Sequence, residues 1–180
     1  MAISLSSISK STMQPPRIVI YGPAGVGKTS FAAEAPKPVF LRVENGMGMI
    51  EADGWDIQNY QDVLDAITVL YRDPHDFQTV VLDTIDAFEP LMWTEVCARI
   101  PTKEGRRVGS IEEYGWGEGH KHAIPFVLQV LNGLTALGEH RGMASIVCAH
   151  SKVHTVKSPD SDDYEKFTLK INEKSEGVVR

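Results

Sequence analysis

Residues 22–29 read Gly-Pro-Ala-Gly-Val-Gly-Lys-Thr, the spacing G-x-x-x-x-G-K-[ST], and Ser30 follows. Gly22, Gly25 and Gly27 allow turned backbone and close approaches that a side chain would block. A chain turned in this way aims successive N–H groups inward as a cradle for an anion. The positive end of a following helix adds to the attraction for phosphate. Lys28 is placed to reach the β- and γ-phosphates of a nucleotide, and the Thr29 hydroxyl to ligate Mg²⁺. Gly22, Pro23, Ala24, Gly25, Val26, Gly27, Lys28, Thr29 and Ser30 are therefore the candidate binding loop for ATP with Mg²⁺.

Three further polar residues end apolar runs. Thr79-Val80-Val81-Leu82 runs into Asp83, a Walker B pattern, which makes Asp83 a candidate for the Mg²⁺ shell, directly or through water. Thr84 stands where many P-loop ATPases carry a glutamate. Glu44, at the end of Val39–Val43, is the other option for orienting or deprotonating a water that attacks the γ-phosphate. The plain alternative is a surface Glu in the turn Glu44-Asn45-Gly46. Ala144–Ala149 ends in His150, whose ring nitrogens could bond the γ-phosphate or the water and report nucleotide state to the segment beyond. The alternative is a satisfied histidine at a strand end. Asp86 reads as an acid in the first turn of a helix. His120 and His122 point to different faces of a helix, so they make no metal site.

The elements that must position these groups follow from periodicity. Apolar runs at 17–21, 39–43, 78–82 and 144–149 suit strands, the third apolar on both faces as in a buried parallel sheet. Helical patterns cover 29–35, ended by Pro36 and Pro38, then 60–71, 87–100 and 123–137. Lys166–Lys170 alternates like a strand, and Asn172 could cap a last helix. Polar segments 101–119 and 151–165 read as loops, the first mobile. Strands alternating with helices predict an α/β fold: a P-loop NTPase with a mostly parallel sheet flanked by helices. Residues 1–15 are expected to be a flexible arm, with a short strand through Ala2-Ile3-Ser4-Leu5 as the alternative, and 16–180 one domain. A sheet of this kind would continue past Val178-Val179-Arg180, so a C-terminal truncation is expected.

Composition narrows the class. A length of 180 residues with 42% hydrophobic content supports one domain with a sizeable core. A net charge of −6 provides no global basic footprint, so any nucleic-acid contact must be a local patch. Such patches exist at Lys103, Arg106 and Arg107, followed by Tyr114 and Trp116, and at Lys152, His154 and Lys157. Cations mixed with aromatics suit single-strand tracking and base stacking, although Asp160, Asp162, Asp163 and Glu165 dilute the second patch. Cys97 and Cys148 are far apart and outside metal-ligand spacing, which fits a reducing, cytoplasmic compartment. No membrane-length apolar stretch or signal-peptide core is present.

Taken together, the chain from 17 to 180 resembles the RecA-like ATP-binding proteins common in phage genomes, including single-strand-annealing ATPases. The carriers are Ile18–Thr29, Val39-Phe40-Leu41 with Glu44, Thr79–Thr84, Tyr114-Gly115-Trp116-Gly117 and Ala149-His150-Ser151-Lys152-Val153. The resemblance implies a RecA-like fold and a Mg²⁺-dependent ATPase, a hydrolase acting in DNA recombination, annealing or replication in a bacterial host cytoplasm. It implies Glu44 as catalytic glutamate, His150 as the sensing residue, and 101–119 and 151–165 as the DNA loops. It also implies self-association, with a cation supplied by a neighbour, for which Lys152 is a candidate. Arg42, where related proteins often carry an acid, and the acidic second loop are departures that weaken the expectation of strong DNA binding. Two other readings stay open: a small-molecule kinase with Arg106 and Arg107 in a lid, and a nucleotide-gated binding module that barely hydrolyses.

Overall fold

In the computed structural model, which describes residues 13–44, 48–157 and 163–179, the apolar runs become a sheet covered by helices on both faces. Strands β1 (Arg17–Gly22), β2 (Pro38–Arg42), β3 (Gly54–Asp56), β4 (Thr79–Asp83) and β5 (Ala144–Val156) lie in the order β1-β5-β4-β2-β3, and β6 (Tyr164–Leu169) pairs with β5. Every pairing is parallel except β5 with β6. The helices are α1 (Lys28–Ala33), α2 (Tyr60–Arg72), α3 (Ile85–Arg99), α4 (Glu118–Arg141) and α5 (Glu173–Val179). This is the α/β, mostly parallel arrangement predicted above.

Strand periodicity sorts the side chains. Val39, Leu41, Val80, Leu82, Val147 and Ala149 face the larger core, which α2, α3 and α4 complete. Phe40, Val81, Ile146 and Cys148 face a smaller one closed by Ala32 of α1. With alternate residues buried on opposite faces, these strands read as unbroken apolar runs.

Several local expectations are corrected. β3 was not predicted. It is only three residues long, and its place beside β2 is held by Arg42, which donates to Asp56 Oδ1 (2.7 Å) and to the carbonyls of Ala52 (3.2 Å) and Gly54 (3.0 Å). Gly54 is required there, because a Cβ would lie 2.2 Å from the Phe40 carbonyl oxygen. Residues 101–117 are not one loop: a 3-10 turn spans Ile111–Tyr114, with Val108 and Ile111 buried and the Tyr114 hydroxyl donating to the Val96 and Ile100 carbonyls. α4 begins at Glu118, five residues before the periodic apolar stripe, and its first turn packs Gly119 directly on Ile111. Residues 151–156 are not loop but a continuation of β5 into a hairpin with β6. β6 starts at Tyr164, two residues before the alternation at Lys166–Lys170 that predicted a strand, whereas in 151–156 the exposed Val153 stands between Lys152 and His154 and no apolar run marks the strand.

Met13–Pro16 carry no regular structure. The rest of the expected arm and its alternative strand at 2–5 lie outside the described residues, as do Asn45, Gly46, Asp160 and Asp162. Among the described residues, no helix is long and apolar enough to cross a membrane.

Candidate nucleotide site

The phosphate loop leaves β1 at Gly22. Gly25 (φ 75°) and Gly27 (φ 96°) both take left-handed backbone, and Gly27 caps α1. A Cβ on either would meet nothing within 4 Å, so conformation rather than space demands glycine at these two positions. The cradle is thus open on its inner side. Lys28 is 6% exposed, and its Nζ donates to the carbonyls of Gly22 (3.2 Å) and Pro23 (3.0 Å).

Thr29 Oγ1 donates to Asp83 Oδ2 at 2.7 Å. Asp83 Oδ1 is buried and lacks a hydrogen-bond partner. One hydroxyl and one carboxylate, the latter with an unpartnered buried oxygen, fit Mg²⁺, a hard cation that takes few protein ligands when phosphate oxygens supply others. Beneath them sits Cys148, whose thiol is pushed up to about 12 by burial and then by the nearby Asp83 charge; it is a packed neutral group.

Sheet order brings the remaining candidates in. Gly22 is opposite His150 across β1 and β5, and Arg42 is opposite Asp83 across β2 and β4. Val43 N–H donates to the Asp83 carbonyl (2.9 Å), which delivers Glu44 to the same rim. Three neighbouring strands, β1, β4 and β2, therefore end at one cleft of about 530 Å³, and β5 passes it at His150 instead of ending there as expected; Gly25, Lys28, Thr29, Glu44, Asp83 and His150 line it. Ligands of open α/β sheets bind beyond such carboxyl ends.

Two contacts escaped sequence reading. Thr84, in the place where a glutamate was looked for, caps α3 and donates to Glu44 Oε1 at 3.3 Å. Asp86 does sit in the first turn of α3, as predicted, but it also holds His150: Oδ1 accepts the His150 N–H (2.8 Å) and Oδ2 pairs with ring Nδ1 (2.9 Å). Burial raises the Asp86 pKa, but the hydrogen bonds from His150 outweigh it and hold the carboxyl below its ordinary value. The available signal is positional, since α3 starts beyond β4 at the same edge of the sheet where the apolar run of β5 gives way to His150.

Other candidates lie elsewhere. Arg106 pairs with Glu113 (3.7 Å), and Arg107 donates to the Ala98 carbonyl. Lys103 is exposed, and Trp116 is 100% exposed with φ 47° between left-handed Gly115 and Gly117. None of the four lines the cleft. Lys152 Nζ donates to the Ile171 carbonyl (2.8 Å), so its ammonium is tied down within its own fold. The rings of His120 and His122 pack separately, against Trp93 and Tyr114.

A phosphate loop between β1 and α1, with the strand tips of a mostly parallel sheet around it, defines a P-loop nucleotide-binding protein. Residues 14–180 match the AAA domain family, so the chain belongs to that family of nucleotide-binding ATPases. A search of curated proteins finds no match.

Proposed function

We propose that this chain is a Mg²⁺-dependent ATPase of RecA-like type, its catalytic unit spanning 16–180, that acts on DNA in phage recombination, single-strand annealing or replication. The observation that carries the catalytic part is the Thr29–Asp83 contact at 2.7 Å beside the orphaned Asp83 Oδ1, under a loop built to accept phosphate. Mg²⁺ bound by these two residues would neutralise charge developing on the phosphates. Lys28 exchanges its two carbonyl partners for phosphate oxygens. Glu44, held by the Thr84 hydroxyl, orients the attacking water and accepts its proton. His150 bonds the γ-phosphate or the water through the ring nitrogen that Asp86 leaves available.

Support for the DNA part is slighter. Lys103, Arg106, Arg107 and Trp116 offer exposed cations and an aromatic face in one segment. Self-association along a strand would add such contacts together. A kinase lid fits less well, because neither arginine lines the cleft.

Phosphate release from ATP, measured with Mg²⁺ or EDTA and with or without single-stranded DNA, tests the proposal. The expected result is Mg²⁺-dependent turnover without any phosphate acceptor, raised by DNA. Tight ATP binding with no turnover in any condition points instead to a binding module. Turnover that requires a small-molecule acceptor points to a kinase.

A further inference from the structure

We infer that Asp86 is a positioning residue for hydrolysis, acting through His150 rather than touching nucleotide. The inference rests on the reading of His150 as the γ-phosphate or water contact. Asp86 grips that residue twice, at the backbone N–H (2.8 Å) and at ring Nδ1 (2.9 Å), and the Lys170 N–H holds the His150 carbonyl (2.8 Å). The residue is therefore fixed at backbone and ring together. Its side chain is 20% exposed at the cleft, while that of Asp86 is 9% exposed behind it. Asp86 does not line the cleft, which separates it from Glu44 as a candidate base.

The chemistry follows from the donor inventory. An ionised carboxylate only accepts hydrogen bonds, so Nδ1 must carry the proton, and a neutral ring then presents Nε2 as an acceptor. Hydrogen bonds to His150 keep Asp86 ionised more readily than an ordinary aspartate. An acceptor at the cleft suits the proton of an attacking water; protonation of the ring converts Nε2 into a donor for phosphate. Asp86→Asn is nearly isosteric, and its amide oxygen can still accept the His150 N–H. Its NH₂ would then face Nδ1 and drive the proton to Nε2, reversing the tautomer. The same reversal in a hydrolytic triad lowers turnover while leaving geometry intact.

The test is a double-mutant cycle on the full chain with ATP turnover and ATP affinity as readouts. Asp86→Asn is expected to lower kcat by about ten- to hundredfold, with ATP affinity and melting temperature near wild type. In the His150→Ala background the same substitution should cost nothing further, because its route is gone. Wild-type turnover in His150→Ala removes the His150 reading and the inference with it. Slow His150→Ala with full-speed Asp86→Asn overturns the inference alone, as does an equal cost of Asp86→Asn in both backgrounds. Should Asp86→Asn fail to fold, nitrogen-15 spectra of histidine in the wild-type protein decide. A proton on His150 Nδ1 upholds the inference, and an Nδ1 without one overturns it.

Discussion

Lys28 is nearly buried, and its ammonium is satisfied by two carbonyls of its own loop. A charge so held is already desolvated, which would strengthen any charge-assisted bond it made to a phosphate. Lys28→Ala is expected to abolish hydrolysis and strongly weaken ATP binding, read by calorimetry and phosphate release; unchanged affinity and turnover would remove the loop from the mechanism. Glu44 presents the opposite case, a group to which we assign proton transfer rather than binding. Glu44→Gln keeps its size and an oxygen for the Thr84 hydroxyl but cannot accept a proton from water. Mg·ATP binding should persist while turnover falls by about 10²-fold or more. Equal turnover in the variant would shift the base elsewhere.

At the scale of elements, α3 joins the cleft to the hairpin. Thr84 just before its first turn lines the cleft, Asp86 lies behind it, and one turn on, Glu89 accepts the Asn172 N–H (2.9 Å) that opens α5. Glu89 is 5% exposed, and burial raises its pKa above the ordinary 4.5, only partly offset by hydrogen bonding from the Asn172 N–H. A carboxyl whose folded pKa lies above its unfolded value contributes most below the unfolded pKa and loses that contribution as pH rises through the folded one. Wild type should therefore lose stability relative to Glu89→Gln as pH rises from about 4.5 towards neutrality. Urea denaturation of both proteins across that range checks the sign; a difference that is flat with pH means the buried group does not titrate there. Since one oxygen suffices for the Asn172 N–H, the variant should keep the anchor.

For the whole molecule, a net charge of −6 sets the terms of any DNA contact. Long-range repulsion opposes it, so binding depends on local cations and on several copies acting together. Arg106→Ala with Arg107→Ala should weaken single-strand binding and flatten its dependence on salt, because fewer counterions are released. Trp116→Ala should cost about 1–3 kcal/mol if a base stacks on that exposed ring. A titration of labelled oligonucleotide with and without ATP measures both. Equal binding by wild type and the double variant at low salt places the DNA site elsewhere, for example on the β5–β6 hairpin.

The residues of the phosphate loop were legible because their information is local: spacing, glycine conformation and an adjoining strand and helix. Asp83, Glu44 and His150 were also within reach, since parallel strands joined by helical crossovers must end on one edge of a sheet. Alternation also marked β6 at Lys166–Lys170, but short β3 and the extension of β5 through 151–156 were not legible, because Arg42 and cross-strand pairing hold them rather than any apolar periodicity. The same holds for the finer arrangement of the site. Thr84 meets Glu44 across 40 residues and Asp86 meets His150 across 64. Strand order decides both contacts, by placing β2 beside β4 and bringing the middle of β5 to the start of α3. Sequence alone determined which groups reach the rim; tertiary structure decided which of them hold one another there, because a pairing between distant segments is written in neither.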